Sequence, residues 1–140
     1  MFCRIIAGEL PAHLVVDDEA CVAFLDQRPL FVGHLLVVPR SHHETLADLP
    51  VDEVGPLFER VRLLQTAIER ALGAQGAFVA ANNRVSQSVP HLHVHVVPRT
   101  KGDGLKGFFW PRTRYRDDVH MADVADTLRS EYDAVRAAAS

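Results

Sequence analysis

Apolar and polar positions alternate most strictly between residues 88 and 98. Leu92, Val94 and Val96 take turns with His91, His93 and His95, and Pro90 and Pro98 bracket the run. A period of two predicts a β-strand with its imidazoles on one face and its aliphatic side chains on the other. Proline suits the ends of such a strand because it cannot donate to a sheet ladder. Elsewhere, residues 13 to 17 and 20 to 26 predict two antiparallel strands around a turn at Asp17-Asp18-Glu19. Residues 33 to 40 and 77 to 82 predict two more. Between those two the period changes. Val54, Leu57, Phe58, Val61, Leu64, Ile68 and Leu72 recur at steps of three and four, one apolar stripe of a helix from about Asp52 to Leu72. Asp52 and Glu53 suit its positive N-terminal end, Pro56 requires a place in the first turn, and Gly73 supplies a stop. Residues 1 to 11 read as a short helical turn ending near Gly8. Residues 118 to 138 predict a second amphipathic helix through Val119, Val124, Leu128, Tyr132 and Val135. Strands and helices in this order give an α+β fold: a five-stranded, mostly antiparallel sheet, a main helix on one face and a C-terminal helix.

Composition narrows the class. The chain has 140 residues, enough for one domain with a substantial core, and no internal repeat or linker divides it. A net charge of −3 gives no basic footprint for nucleic acid. No apolar run approaches the ~20 residues needed to span a bilayer, and nothing near the N-terminus reads as a signal peptide. Two cysteines make no disulfide framework, so a reducing, cytoplasmic setting is expected. Phe108, Phe109 and Trp110 form a cluster too apolar for water alone, to be covered by a second copy of the chain or, alternatively, by the chain's own helices.

The histidines carry the chemistry. Next-but-one residues on a strand lie roughly 6.5–7 Å apart. Three rings so placed suit either a metal site or nucleophilic and acid–base chemistry on a phosphate.

His91-Leu92-His93-Val94-His95-Val96-Val97 resembles, at every position, the motif of the histidine-triad family of nucleotide hydrolases and transferases, His-φ-His-φ-His-φ-φ with φ apolar. Gln87-Ser88-Val89-Pro90 is similar to the family's approach to it. The resemblance covers residues 1 to 98, leaving 99 to 140 as a C-terminal extension of one domain. It implies a histidine-triad fold and cleavage at the α-phosphorus of a nucleoside phosphoramidate or dinucleoside polyphosphate. His93 would be the nucleophile, His95 and Ser88 would contact the phosphate and leaving group, and His91 and His34 would orient the set. Asp26, eight residues before His34, would hold the ribose. Asn82, with Asn83 as the alternative, and Gln87 and Ser88 would reach ribose or phosphate. Phe2, Ile6 and Phe24 would meet the base. Ser86 stands where the family has a glycine. Bacterial members hold a structural zinc through two cysteines, a histidine after the third strand and the first triad histidine. Cys3, His42 and His91 would supply three ligands where a closed site wants four, so no metal or cofactor is expected. His42 and His43 otherwise read as an exposed helix entry, and residues 99 to 107 as a Gly/Lys-rich loop for a distal part of the substrate or as plain surface. A homodimer is implied. Two readings compete: a metal-dependent hydrolase using the three rings as ligands, and a nucleotide-binding or scaffolding protein with little turnover.

Overall fold

A computed structural model describes residues 1–105 and 112–139. They form two compact units, Met1–Gly104 and Leu105–Ser140. The aromatic cluster at 108 to 110 lies outside the described residues.

The first unit is built on one antiparallel sheet of five strands in the order β1-β2-β3-β5-β4. The strands are β1 (Leu14–Asp17), β2 (Cys21–Leu25), β3 (Leu35–Pro39), β4 (Gly76–Ala80) and β5 (Val94–Arg99). β1 and β2 close around Asp18, whose Oδ1 accepts hydrogen bonds from the backbone of Ala20 and Cys21 at 2.9 and 3.0 Å. Those donors, with Arg60 beside it, hold the Asp18 carboxyl below the usual carboxylate range.

α2 (Val51–Leu72) covers one face. Its stripe buries Leu57, Val61, Leu64 and Ile68 against Ala23, Val37, Leu92, Val94 and Val96. Each such side chain stabilises the unit by about 1.5–3 kcal/mol before chain entropy is counted. Pro56 is the sixth residue of this helix, in its second turn rather than its first. The substitution of ring for N–H frees the carbonyl of Asp52, and both residues are exposed, so water can satisfy it. Gly33 has φ +102°, and a Cβ there would lie 2.3 Å from Leu72 Cδ1. Only glycine meets both demands, and this packing sets the entry into β3 just before His34.

α1 (Phe2–Ile6) belongs to the opposite face. There Phe2 packs with Val22, Phe24, Leu36 and Val38, and Ile5 and Ile6 pack against them half-buried. The register lays Phe24 beside Leu36 and Leu36 beside His95, one row across β2, β3 and β5. The histidine face is therefore roofed by α1, and the aliphatic face of the same run is roofed by α2.

The second unit contains α3 (Asp118–Ala139). Val119, Leu128, Tyr132 and Val135 are exposed on it. No helix among the described residues is long and apolar enough to cross a membrane.

Candidate active site

The triad is only partly a strand. The ladder begins at Val94, so His95 alone of the three lies within β5. Before it, Leu92 N–H donates to the carbonyl of His43 at 2.7 Å, and His91 N–H to that of Val89 at 2.8 Å. This lead-in stays extended enough to keep Leu92 and Val94 in the core and the rings opposite. It pairs, however, with the turn after β3 instead of with a strand.

Each ring has a distinct partner. His93 Nδ1 lies 2.8 Å from the carbonyl of His91. A carbonyl can only accept, so Nδ1 carries the proton and Nε2 keeps its lone pair. His91 Nε2 lies 3.3 Å from the carbonyl of Pro39, so there Nε2 is protonated and Nδ1 is the lone pair. His34 Nδ1 accepts from the backbone N–H of Leu30 at 3.1 Å, which puts the proton of neutral His34 on Nε2. That Nε2 lies 2.9 Å from His95 Nδ1. His95 therefore accepts at Nδ1 and, when neutral, carries its own proton on Nε2. The result is one ring with a free lone pair beside one ring with a free N–H; the centroids of His93 and His95 are 5.0 Å apart.

Burial keeps the surrounding rings neutral. Desolvation, then His93 and His34, pushes His95 down to about 4. Desolvation also lowers His34, against the pull of the Asp26 carboxylate, and lowers His91, against its bond to Pro39. Phe2 and His93 meet in a T-shaped contact with centroids 5.1 Å apart, and Phe2 packs on Phe24 at 5.5 Å.

The remaining expected residues divide. Asp26 joins the site: its Oδ2 is 3.7 Å from His34 Nε2, and its Oδ1 accepts from Arg28 N–H at 2.9 Å. Ser88 is exposed on the lead-in. Phe2 and Phe24 are buried, so they shape the floor and offer no open ring face. The amides expected on the nucleotide also brace the loop. Gln87 donates to the carbonyl of Glu44 at 2.6 Å and accepts from Arg84 N–H at 2.8 Å. Asn82 Nδ2 donates to the carbonyl of Ser86 at 3.1 Å. Asn83 Oδ1 accepts from Leu46 N–H at 2.8 Å. Ser86 itself has φ +60°, the conformation a glycine favours. His42 is exposed, as expected, but it and half-buried His43 lie in the turn after β3 and not at a helix entry. His42 sits against His91 with centroids 4.6 Å apart, and His43 Nε2 donates to Ser41 Oγ at 3.0 Å. The sequence gives no sign of the Leu30 N–H or the carbonyls of Pro39 and His43, because every residue carries such groups.

The three triad rings do not converge on one ion. Among the described residues, the groups spaced to hold a metal are Cys3, His42 and His91, and Asp26, His34 and His95. In the second group both nitrogens of His34 and Nδ1 of His95 are already engaged, with Leu30 N–H and with each other.

A five-stranded antiparallel sheet that carries His91, His93 and His95 in strict alternation with apolar residues has the architecture of a histidine-triad protein. The HIT domain family model matches residues 7–102, and the chain belongs to that family. It is 42% identical over 106 residues to an uncharacterised HIT-like protein of Methanocaldococcus jannaschii, covering 74% of this chain and 81% of that one. It is 36% identical over 107 residues to adenylylsulfatase HINT3 of Arabidopsis thaliana, covering 75% of this chain but 54% of the plant protein. Among solved structures, SMU.412c from Streptococcus mutans superposes with a TM-score of 0.85 at 31% identity, over 94% of this chain and 84% of that one.

Proposed function

We propose that this protein hydrolyses or transfers at the α-phosphorus of a nucleotide bearing a leaving group, a nucleoside phosphoramidate or a dinucleoside polyphosphate, through a nucleotidyl intermediate on His93. One observation carries the reading: His93 Nδ1 is anchored on the carbonyl of His91 at 2.8 Å, which leaves Nε2 as a lone pair. A neutral imidazole held in that tautomer is an activated nucleophile. Nε2 attacks phosphorus and the bond to the leaving group breaks. The leaving group takes the electron pair, accepts a hydrogen bond from His95 Nε2–H and, where it is an amine, takes its proton from solvent. Water then attacks the same phosphorus and gives its proton to solvent, the P–N bond breaks with its electron pair returning to His93 Nε2, and nucleoside monophosphate departs. His34 positions His95 by donating to its Nδ1. Asp26 faces the ribose hydroxyls, and exposed Ser88 donates to the phosphate. Fixed donors of this kind stabilise charge developing on phosphate oxygens without reorganising. The plant relative is named an adenylylsulfatase, which fits a substrate cleaved at an α-phosphorus.

No step requires a metal. The test is a panel of nucleoside phosphoramidates and dinucleoside polyphosphates assayed in excess chelator. Turnover of at least one class is expected. Activity that disappears with chelator and returns with zinc would replace this reading with metal-dependent hydrolysis. Binding of nucleotide with no turnover across the panel would favour a scaffolding protein.

A further inference from the structure

His43 is half-buried in the turn after β3, and the proposed chemistry leaves it no task. Its side chain is nonetheless fixed. Ser41 Oγ lies 2.6 Å from Glu53 Oε1. A carboxylate only accepts, so the Ser41 hydroxyl spends its one proton there and offers His43 Nε2, 3.0 Å away, a lone pair. His43 Nε2 therefore carries a proton, and the second oxygen of Glu53 lies 3.7 Å from it. Glu53 is the third residue of α2, the helix packed on the sheet. Further along, the same turn is held from the other side: the Glu44 carbonyl accepts from Gln87, and Leu46 N–H donates to Asn83. The turn is clamped between α2 and the loop before the triad, with the His43 carbonyl between the clamps.

That carbonyl accepts from Leu92 N–H at 2.7 Å. Leu92 N–H belongs to the same peptide group as the His91 carbonyl, which holds His93 Nδ1 at 2.8 Å. One peptide thus has its N–H on the turn and its oxygen on the ring of His93. A planar peptide moves as a unit, so a shift of the His43 carbonyl swings the His91 oxygen and the ring with it. Hydrogen bonds in series also polarise one another, so a peptide whose N–H is engaged presents a stronger acceptor to Nδ1–H. No ladder pairing steadies this peptide, because β5 begins at Val94.

We propose that Ser41, His43 and Glu53 are positioning residues for the phosphorus chemistry, an inference that rests on the reading of His93 as nucleophile. Together they hold the His43 carbonyl on the peptide between His91 and Leu92, and that peptide aims His93 Nε2. None of the three touches substrate. Their loss slows transfer to His93 and leaves nucleotide binding intact, since Asp26 and Ser88 lie outside the network.

The wild type, Ser41→Ala, His43→Ala and Ser41→Thr are compared in two ways. The first is kinetic: the single-turnover rate of nucleotidyl-enzyme formation, beside the Kd for nucleoside monophosphate. Both alanine variants are expected to react about tenfold to a hundredfold more slowly with Kd within about twofold of wild type, as a slightly misaimed nucleophile should. Ser41→Thr keeps the hydroxyl and restores the rate. The second needs no substrate: hydrogen exchange of the Leu92 amide and the nitrogen resonances of the His93 ring. In the alanine variants Leu92 is expected to exchange about tenfold faster, while Val96 and Val97, inside the ladder, keep their protection and show that the fold is intact. The His93 resonances shift away from the Nδ1–H form. A wild type that turns over no nucleotide would defeat the proposed function, and the second comparison would still decide on the network. Unchanged rates in both alanine variants would overturn the proposal, as would a loss that Ser41→Thr does not restore or a Kd that rises in step with it. So would Leu92 exchange and His93 resonances identical to those of the wild type.

Discussion

The backbone N–H of Leu30 decides which nitrogen of His34 carries a proton, and that choice passes to His95 through a 2.9 Å contact. The chain of donors is polarised toward the leaving group only while His34 and His95 stay neutral. Burial secures this by holding both below the ordinary histidine value, His95 at about 4. The cost appears in stability. An unfolded histidine binds a proton near pH 6.5, whereas His95 in the folded state does not until about 4. Within that window the unfolded chain holds more protons, so stability falls as pH falls. Above about pH 6.5 the full contribution is present. We expect the denaturant midpoint to drop steadily from pH 6.5 to 4, and a variant with His95→Gln to drop less. A midpoint flat across the window would show that these rings are not buried neutral.

At the scale of elements, the short path from β4 to the triad does more than connect. Asn82, Asn83 and Gln87 all hydrogen-bond to backbone in or beside it, and Arg84 and Ser86 adopt positive φ, 69° and 60°. A left-handed conformation costs an L-residue roughly 1–2 kcal/mol, partly offset in the comparison with glycine by the latter's larger loss of chain freedom. Ser86→Gly should therefore raise stability by up to about 1 kcal/mol, read as a higher urea midpoint. A loss of similar size would mean that the Ser86 side chain stabilises the loop. The position was marked in the sequence as a glycine replaced by serine, but the bonding of the amides to backbone was not, since polar residues before a phosphate site look the same whether they face ligand or backbone. The run from 88 to 98 was legible as two-faced, and its faces are as the alternation requires. What the alternation could not convey is that the ladder stops at Val94. Pairing depends on a partner, and the partner of Leu92 is a carbonyl in the turn holding His43. Pro56 taught a similar lesson. Its ring forbids one hydrogen bond, and whether that matters depends on exposure of the freed carbonyl.

For the whole molecule, five strands and two long helices follow from periodicity, but the sheet order, with β5 between β3 and β4, does not, because periodicity does not choose pairing partners. The assembly does not follow so directly. α3 leaves Val119, Leu128, Tyr132 and Val135 more than half exposed, and the adjacent aromatic cluster lies outside the described residues. Apolar surface of that extent favours a second copy, so light scattering should give twice the chain mass at micromolar concentration, and Leu128→Asp/Tyr132→Asp should give a monomer. A monomeric wild type would contradict this. The central claim concerns chemistry, a covalent bond to one nitrogen of one residue. It is tested most directly by acid-free rapid quench of the enzyme with a competent nucleoside phosphoramidate, followed by mass spectrometry of the intact protein and its peptides. The account predicts a transient gain of one nucleotidyl group on His93, absent from a folded His93→Ala variant that still binds nucleoside monophosphate but does not turn over. Undiminished turnover by that variant, or a nucleotidyl group carried on another residue, would contradict it.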